Sequence, residues 1–277
     1  SYGVGNGVQV GGYRLGMILG GGGVLLLLDQ LGFSWALACL VALLAVLMLP
    51  LWRFNEGVLP VVAPSRPAIS QLLLWQRLQQ PGMVGFLVLI VVYKAGDALA
   101  SGMVKPLLVD LGLSKSQIAL ASGLGGSATA VLGAAAAAWL STRWSAQRLL
   151  LVAGLLQTAS LPLYYLASER MGGLAMINAA VALEHFCGSM ATVALFSVMM
   201  QAASREFAAV DYAVFACVEV ISKGVMLAAS GVLADAMEYS GLFALSAGLS
   251  LVGTMLALWI WRQGWVTAGL RESAKLK

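Results

Sequence analysis

Residues Met83–Val109 read MVGFLVLIVVYKAGDALASGMVKPLLV. At a rise of about 1.5 Å per residue, a helix of this length crosses the roughly 30 Å hydrocarbon core of a bilayer. The run is apolar except for Lys94 and Asp97 near its middle and Lys105 towards its end. It reads as a transmembrane helix that carries two opposite charges at mid-depth.

The rest of the chain follows the same pattern. Of its 277 residues, 60% are hydrophobic and 10% are charged, against about 25% charged in an ordinary soluble domain. So much apolar surface cannot be hidden in one soluble core, and lipid must solvate much of it. The expected fold class is all-α, a polytopic membrane helix bundle. Eight spans are expected, at about Val8–Leu28, Trp35–Trp52, Met83–Val109, Ser116–Leu140, Arg148–Ala167, Gly172–Met200, Ala208–Leu233 and Leu242–Trp261. The one long polar connection, Arg53–Gly82, holds Pro60, Pro64, Pro67 and Pro81, which interrupt helices. Inside it, Ile69, Leu72, Leu73 and Leu78 alternate with Gln71, Gln76, Arg77 and Gln79, as in a short amphipathic interfacial segment. The chain opens at Ser1 in a Gly-rich stretch, which is the expectation for a piece of a longer protein.

Charge placement orients the bundle. With Arg53–Gly82 in the cytoplasm, Arg53, Arg66, Arg77, Arg143, Arg148, Arg205, Arg262, Arg271, Lys275 and Lys277 share that side, and only Lys105, Lys115 and Arg170 lie opposite. This is the asymmetry of the positive-inside rule, and it places the C-terminus in the cytoplasm. The net charge of +4 is dispersed at span ends, so nucleic acid is not an expected partner. Cys39, Cys187 and Cys217 lie within apolar runs and are expected to be buried and reduced.

Seven ionisable side chains fall within the expected spans: Arg14, Lys94, Asp97, Glu184, Asp211, Glu219 and Lys223. A charge at the bilayer centre is costly, so such residues face a bundle interior or a wet cavity. Lys94 and Asp97 are three apart and Glu219 and Lys223 four apart, spacings that allow buried charge pairs on one helix face. Structural neutralisation and a polar pathway for a solute or proton both account for these residues. A carboxyl group in apolar surroundings holds a proton more readily than in water, which makes Asp97, Glu184 and Glu219 candidates for proton coupling. His185 is the only histidine. It reads as a packed or hydrogen-bonded side chain, with a proton relay as the alternative. No metal-ligand cluster, P-loop, H-E-x-x-H or G-x-S-x-G motif is present, so neither a metal nor an enzymatic site is expected. Gly123-x-Gly125-x-x-Ala128 lacks the preceding strand that a dinucleotide fingerprint requires. Small residues recur every four positions at Gly12, Gly16 and Gly20, and at Ala121, Gly125, Thr129, Gly133 and Ala137. Such stripes let helix backbones approach closely in lipid, and these two are expected to pack on each other, with Gly12 by Gly133 or Ala137.

Several segments resemble AmpG-type permeases of the major facilitator superfamily. Gly11-Gly12-Tyr13-Arg14-Leu15-Gly16-Met17 is similar to their fifth helix, Tyr93-Lys94-Ala95-Gly96-Asp97-Ala98 to the seventh, Glu184-His185-Phe186-Cys187-Gly188-Ser189-Met190 to the tenth, and Asp211-Tyr212-Ala213 to the start of the eleventh. The resemblance implies helices five to twelve of a twelve-helix bundle. Residues 1–53 would be the last two helices of the N-terminal half, 54–82 the central cytoplasmic loop, 83–262 the C-terminal six-helix half and 263–277 a cytoplasmic tail. It further implies a secondary active transporter of the bacterial inner membrane that acts as a monomer without cofactors. Such a protein imports an amphipathic solute with protons, either a muropeptide or, as in importers of the RhtX/FptX type, a ferric siderophore. Met190–Phe196 and Asp211-Tyr212 stand slightly nearer the siderophore branch. Tyr13, Arg14, Lys94, Asp97 and Asp211 are the expected solute or gate contacts. A membrane binding or assembly protein without a transport cycle, and a membrane-embedded enzyme, are the alternative classes.

Overall fold

The computed structural model describes residues 2–17, 24–53, 79, 82–204 and 208–263. Every regular element among them is helical. In chain order these are α1 (Tyr2–Met17), α2 (Val24–Arg53), α3 (Met83–Asp110) and α4 (Lys115–Ile118). A π-helical segment (Ala119–Gly125) follows and leads into α5 (Gly126–Leu140), α6 (Ala146–Ser160), α7 (Pro162–Ser168), α8 (Gly173–Ala202) and α9 (Ala208–Arg262). The expected amphipathic segment, most of the 54–82 connection and the tail beyond Gln263 lie outside the described residues, as do the side chains of Tyr13 and Arg14.

Six helical stretches among the described residues are long and apolar enough to cross a membrane. The last, α9, has 55 residues and would be about 80 Å long if straight, far more than a bilayer needs. It is broken at Glu238, which adopts φ 62°, ψ 173°, a backbone conformation costly for a non-glycine residue. The two halves run in opposite directions along α3. In the first, Ser222 Oγ donates to Val91 O at 3.3 Å and Ser230 lies against Gly102, so numbering rises together. In the second, Ser246 and Ser250 lie against Gly96 and Gly253 against Tyr93, so numbering runs oppositely. Glu238 is therefore a chain reversal, and α9 provides two crossings, as the seventh and eighth expected spans require.

The chain divides into two compact units, Gly16–Gln80 and the remainder, Ser1–Leu15 with Pro81–Lys277. In the smaller unit α2 breaks at Gly32 (φ 76°, ψ 170°), and Gly32–Pro50 forms its apolar span. Of the expected first span, Val8–Leu28, residues 18–23 lie outside the described residues, with α1 on one side of them and the start of α2 on the other.

In the larger unit, Pro162 interrupts the fifth span at Leu161, because proline has no N–H to continue the ladder. The turn from α5 to α6 carries Arg143 over Trp139, 4.4 Å from the ring centroid, and Arg148 over Trp144, at 4.8 Å. Such Trp–Arg pairs suit the membrane–water boundary. Large apolar side chains such as Val84, Leu120, Leu132 and Val232 are more than 60% exposed, an outer surface suited to hydrocarbon rather than water. Cys187 is buried, whereas Cys39 and Cys217 are exposed rather than buried as expected.

The small-residue stripes pack differently from the expectation. Gly133 on α5 lies against the backbone of Phe186 on α8, while an added Cβ at Gly12 would meet nothing within 4 Å. The α1–α5 contact falls instead at Gly7, whose neighbours are Ala134 and Ala138. Gly20 lies outside the described residues. Spacing alone identifies a face that permits close approach, not the helix that uses it. Comparably close backbone contacts join α3 to the second half of α9: a Cβ on Gly96 would run into Ser246 O and Ser250 N, and one on Gly253 into Val92 O and Tyr93. Gly96→Val is therefore expected to destabilise the protein by about 1–3 kcal/mol or more through overpacking, and Gly12→Val to leave it unchanged, measured as thermal unfolding midpoints of the full-length protein in detergent.

Candidate functional site

Two apolar clusters divide the larger unit. One contains Leu89, Ile90, Tyr93, Leu149, Ala153, Met190, Val193 and Ala257. The other contains Leu99, Val104, Leu161, Tyr164, Val181, Leu242 and Phe243. On each helix the polar residues fall between the two sets: Lys94 and Asp97 on α3, Gln157 on α6, Glu184 and Gly188 on α8, and Ser250 on the second half of α9. The result is a polar layer sandwiched between apolar ones at mid-helix.

Lys94 is its centre. The side chain is 4% exposed, and its ammonium has an acceptor for each of its three N–H groups: Asp97 Oδ2 at 2.5 Å, Gln157 Oε1 at 2.9 Å and Gly188 O at 3.2 Å. A buried charge is tolerated only when it is paired and fully hydrogen-bonded, and both conditions hold here. The network continues outward. Gln157 Nε2 donates to Ser250 Oγ at 3.4 Å, and Ser250 Oγ and Thr158 Oγ1 are 2.8 Å apart. Four helices thus meet through polar groups in a region otherwise filled by aliphatic side chains.

The second buried carboxyl group is Glu184, 6% exposed. Its Oε2 lies 2.6 Å from His185 Nδ1 and accepts from Tyr164 OH at 3.4 Å. Asp97, 7% exposed, has a buried Oδ1 with no hydrogen-bond partner. The two carboxyl groups approach over Gly188: a Cβ there would lie 3.0 Å from Asp97 Oδ1 and 3.4 Å from Glu184 Oε1. Only a glycine leaves this space open.

The structure brings Lys94, Asp97 and Glu184 together, and it separates the remaining candidates. Asp211 is buried in the first turn of α9, where its Oδ2 accepts from Ser204 N at 2.9 Å and so braces the turn from α8. Glu219 is buried on the first half of α9, beside Tyr212. Lys223 is exposed, and no ion pair joins it to Glu219 among the described residues. A four-residue spacing permits such a pair without requiring it. Gln157, Tyr164 and Ser250 were not among the sequence candidates. Gln157 carries a legible signal, an amide inside an apolar span, whereas Tyr164 and Ser250 do not stand out from ordinary packing residues.

Cavities open elsewhere on this unit, among them two with polar side chains in their lining. One of about 620 Å³ is lined by Met103, Asp110, Glu169, Asp235, Glu238 and Tyr239, with Tyr239 OH donating to Asp110 Oδ2 at 2.6 Å. The other, a groove of about 390 Å³, runs between α8 and the π-helical segment with α5, past Gln117, Gly125, Thr129, Asn178 and Ala182.

Because Lys94 and Asp97 satisfy each other, removing one alone is the costly change. Lys94→Met is expected to cost about 3–5 kcal/mol by leaving a buried carboxylate unpaired, and Lys94→Met/Asp97→Leu to recover most of it. Unfolding midpoints of the two variants would check this.

No family model matches the chain. It is 29% identical over 270 residues to the anhydromuropeptide permease of Escherichia coli strain K12, covering 92% of this chain and 53% of that protein. It is 21% identical over 260 residues to a putative transporter, AmpG 4, of Rickettsia felis, covering 90% and 62%. It is 23% identical over 276 residues to an uncharacterized protein of Haemophilus influenzae, covering 93% and 64%. The chain spans about half the length of the Escherichia coli permease. In fold it is a multi-pass membrane helix bundle, and over nearly its whole length it is similar to proteins named as permeases and transporters.

Proposed function

We propose that this chain is part of a secondary active transporter of the bacterial inner membrane, importing an amphipathic muropeptide-like solute together with protons. The observation that carries the reading is the Lys94–Asp97–Glu184 cluster, buried at mid-helix in a bundle whose outer surface is apolar. Two carboxyl groups and one ammonium in such a place are expensive unless their charge state does work. The similarity to the Escherichia coli permease supports a transport role, and its name supports the solute class. Residues 1–53 then serve as the last two helices of an N-terminal half, 54–82 as the cytoplasmic loop between halves and 83–262 as the C-terminal half. The cytoplasmic C-terminus follows from the placement of Arg and Lys. Tyr13, Arg14 and Lys94 are the proposed solute or gate contacts, and Asp97 and Glu184 the proton carriers.

The likeness to siderophore importers rested on Met190–Phe196 and on Asp211-Tyr212, of which Asp211 is buried and braces the turn into α9. Met190, Ala191, Val193, Ala194 and Leu195 are buried in the apolar cluster, where a side chain reports helix packing and not solute. This favours the muropeptide class.

The test is uptake by the intact protein in membrane vesicles with an imposed proton gradient. A labelled anhydromuropeptide is expected to accumulate against its gradient, and an uncoupler to abolish accumulation. Asp97→Asn and Glu184→Gln are each expected to lower uphill uptake at least tenfold while solute exchange down its own gradient persists. Uptake indifferent to the uncoupler would remove the proton coupling, and accumulation of a ferric siderophore instead would replace the solute class.

A further inference from the structure

We propose that Asp97 and Glu184 hold a single transferable proton between them, and that His185 is the positioning residue through which it enters and leaves. The inference deepens the transporter reading above and rests on it for its physiological meaning, though its geometry stands alone.

The first argument is charge balance. With Lys94 protonated and both carboxyl groups ionised, the buried trio carries a net single negative charge. One added proton makes it neutral, and neutrality is strongly favoured where water is excluded. Lys223 is exposed, and no ion pair joins it to Asp97 or Glu184 among the described residues, so it stands outside the hydrogen-bonded trio. The other titratable groups facing the pair among the described residues are Tyr93 from α3, Tyr164 from α7, and Cys187 and His185 from α8. None of them is a second buried cation.

The second argument is the orphaned atom. Asp97 Oδ1 is buried without a donor, and it shares the space over Gly188 with Glu184 Oε1. Two ionised carboxyl groups cannot hydrogen-bond each other. A proton on either one supplies the missing donor, and two such groups titrate as a unit rather than as independent acids.

The third argument is the exit. His185 Nδ1 faces two acceptors, Glu184 Oε2 at 2.6 Å and Val181 O at 3.0 Å, so Nδ1 bears the hydrogen. The Nε2 edge lies against Gly126, where a Cβ would sit 2.7 Å from it. Gly126 adjoins Gly125, and Ala182 is one turn before His185, and both Gly125 and Ala182 line the groove between α5 and α8. The imidazole, 19% exposed, thus joins the buried carboxyl to a groove of mixed lining, in which Gln117, Thr129 and Asn178 stand beside Leu120 and Leu174. A proton arriving at Nε2 lets the Nδ1 proton pass to Glu184 Oε2, which leaves the ring neutral with its hydrogen on Nε2 and Glu184 protonated. The reverse transfer releases the proton.

The experiment is infrared difference spectroscopy of the full-length protein in detergent between acidic and alkaline pH, paired with vesicle uptake. A single protonated-carboxyl band is expected. It should vanish in Asp97→Asn and equally in Glu184→Gln, because either change makes the cluster neutral without a proton. Glu184→Gln leaves the Lys94–Asp97 pair intact and decides the matter if Asp97→Asn does not fold. A band that persists in each single variant means two independent protons and overturns the shared site. A band removed by sodium chloride but not by potassium chloride means a metal cation occupies the gap, and also overturns it. His185→Asn, which keeps a donor near the Nδ1 position but cannot relay, should retain the band and lower uphill uptake at least tenfold with downhill exchange unchanged. Unaltered uphill uptake in that variant would remove His185 from the path. Wild-type protein that shows the band and its loss in both variants, yet transports nothing, would sink the transporter reading and leave the shared proton standing.

Discussion

The ammonium of Lys94 is buried, and the protein itself supplies an acceptor for each of its hydrogens. The acceptors come from three helices: Asp97 on its own, Gln157 on α6 and the carbonyl of Gly188 on α8. That arrangement fixes the depth and rotation of these helices more tightly than apolar packing does. Leucine against leucine tolerates a shift along the helix axis, and in lipid gains little by burial, whereas an ammonium displaced by one turn loses its partners. The two apolar clusters on either side are then filled by whichever side chains that alignment brings together.

Glycine makes the alignment reachable. The carbonyl of Gly188 is available to Lys94 and the space above it is open to two carboxyl groups because the residue has no side chain. Gly96, between Lys94 and Asp97, lets the second half of α9 approach α3 backbone to backbone and so brings Ser250 to Gln157. Chemistry and close packing therefore draw on the same short segments. This is why the Lys94-Ala95-Gly96-Asp97 and Glu184–Gly188 stretches are where the residues of this chain are most telling.

Much of this was legible before any coordinates. Apolar runs of membrane-crossing length set the fold class, and the bounds of α3 and α8 follow them closely because Gly82, Gly112 and Gly172 end or begin the runs with positive φ. Lys94 and Asp97 announced their pairing by spacing and by their cost in lipid. What stayed hidden were relations between helices. Gln157 and Ser250 gain meaning only when three spans converge, and the Gly12 stripe had no way to name its neighbour. The reversal between the seventh and eighth spans was expected, but not its seat at Glu238, since the nearest glycine is Gly241.

That reversal bears on the order in which the molecule comes into being. With no loop between the two halves of α9, neither can settle across the bilayer while the other trails in water, so the last two crossings enter as one hairpin. The contacts of Lys94 are separated from it by 63 and 94 residues and are complete once α8 has been synthesised. Ser250, a further 93 residues beyond Gln157, arrives with the hairpin at the end. During biosynthesis the ion pair is thus sheltered by its own three helices first, and the hairpin closes over a charge already settled.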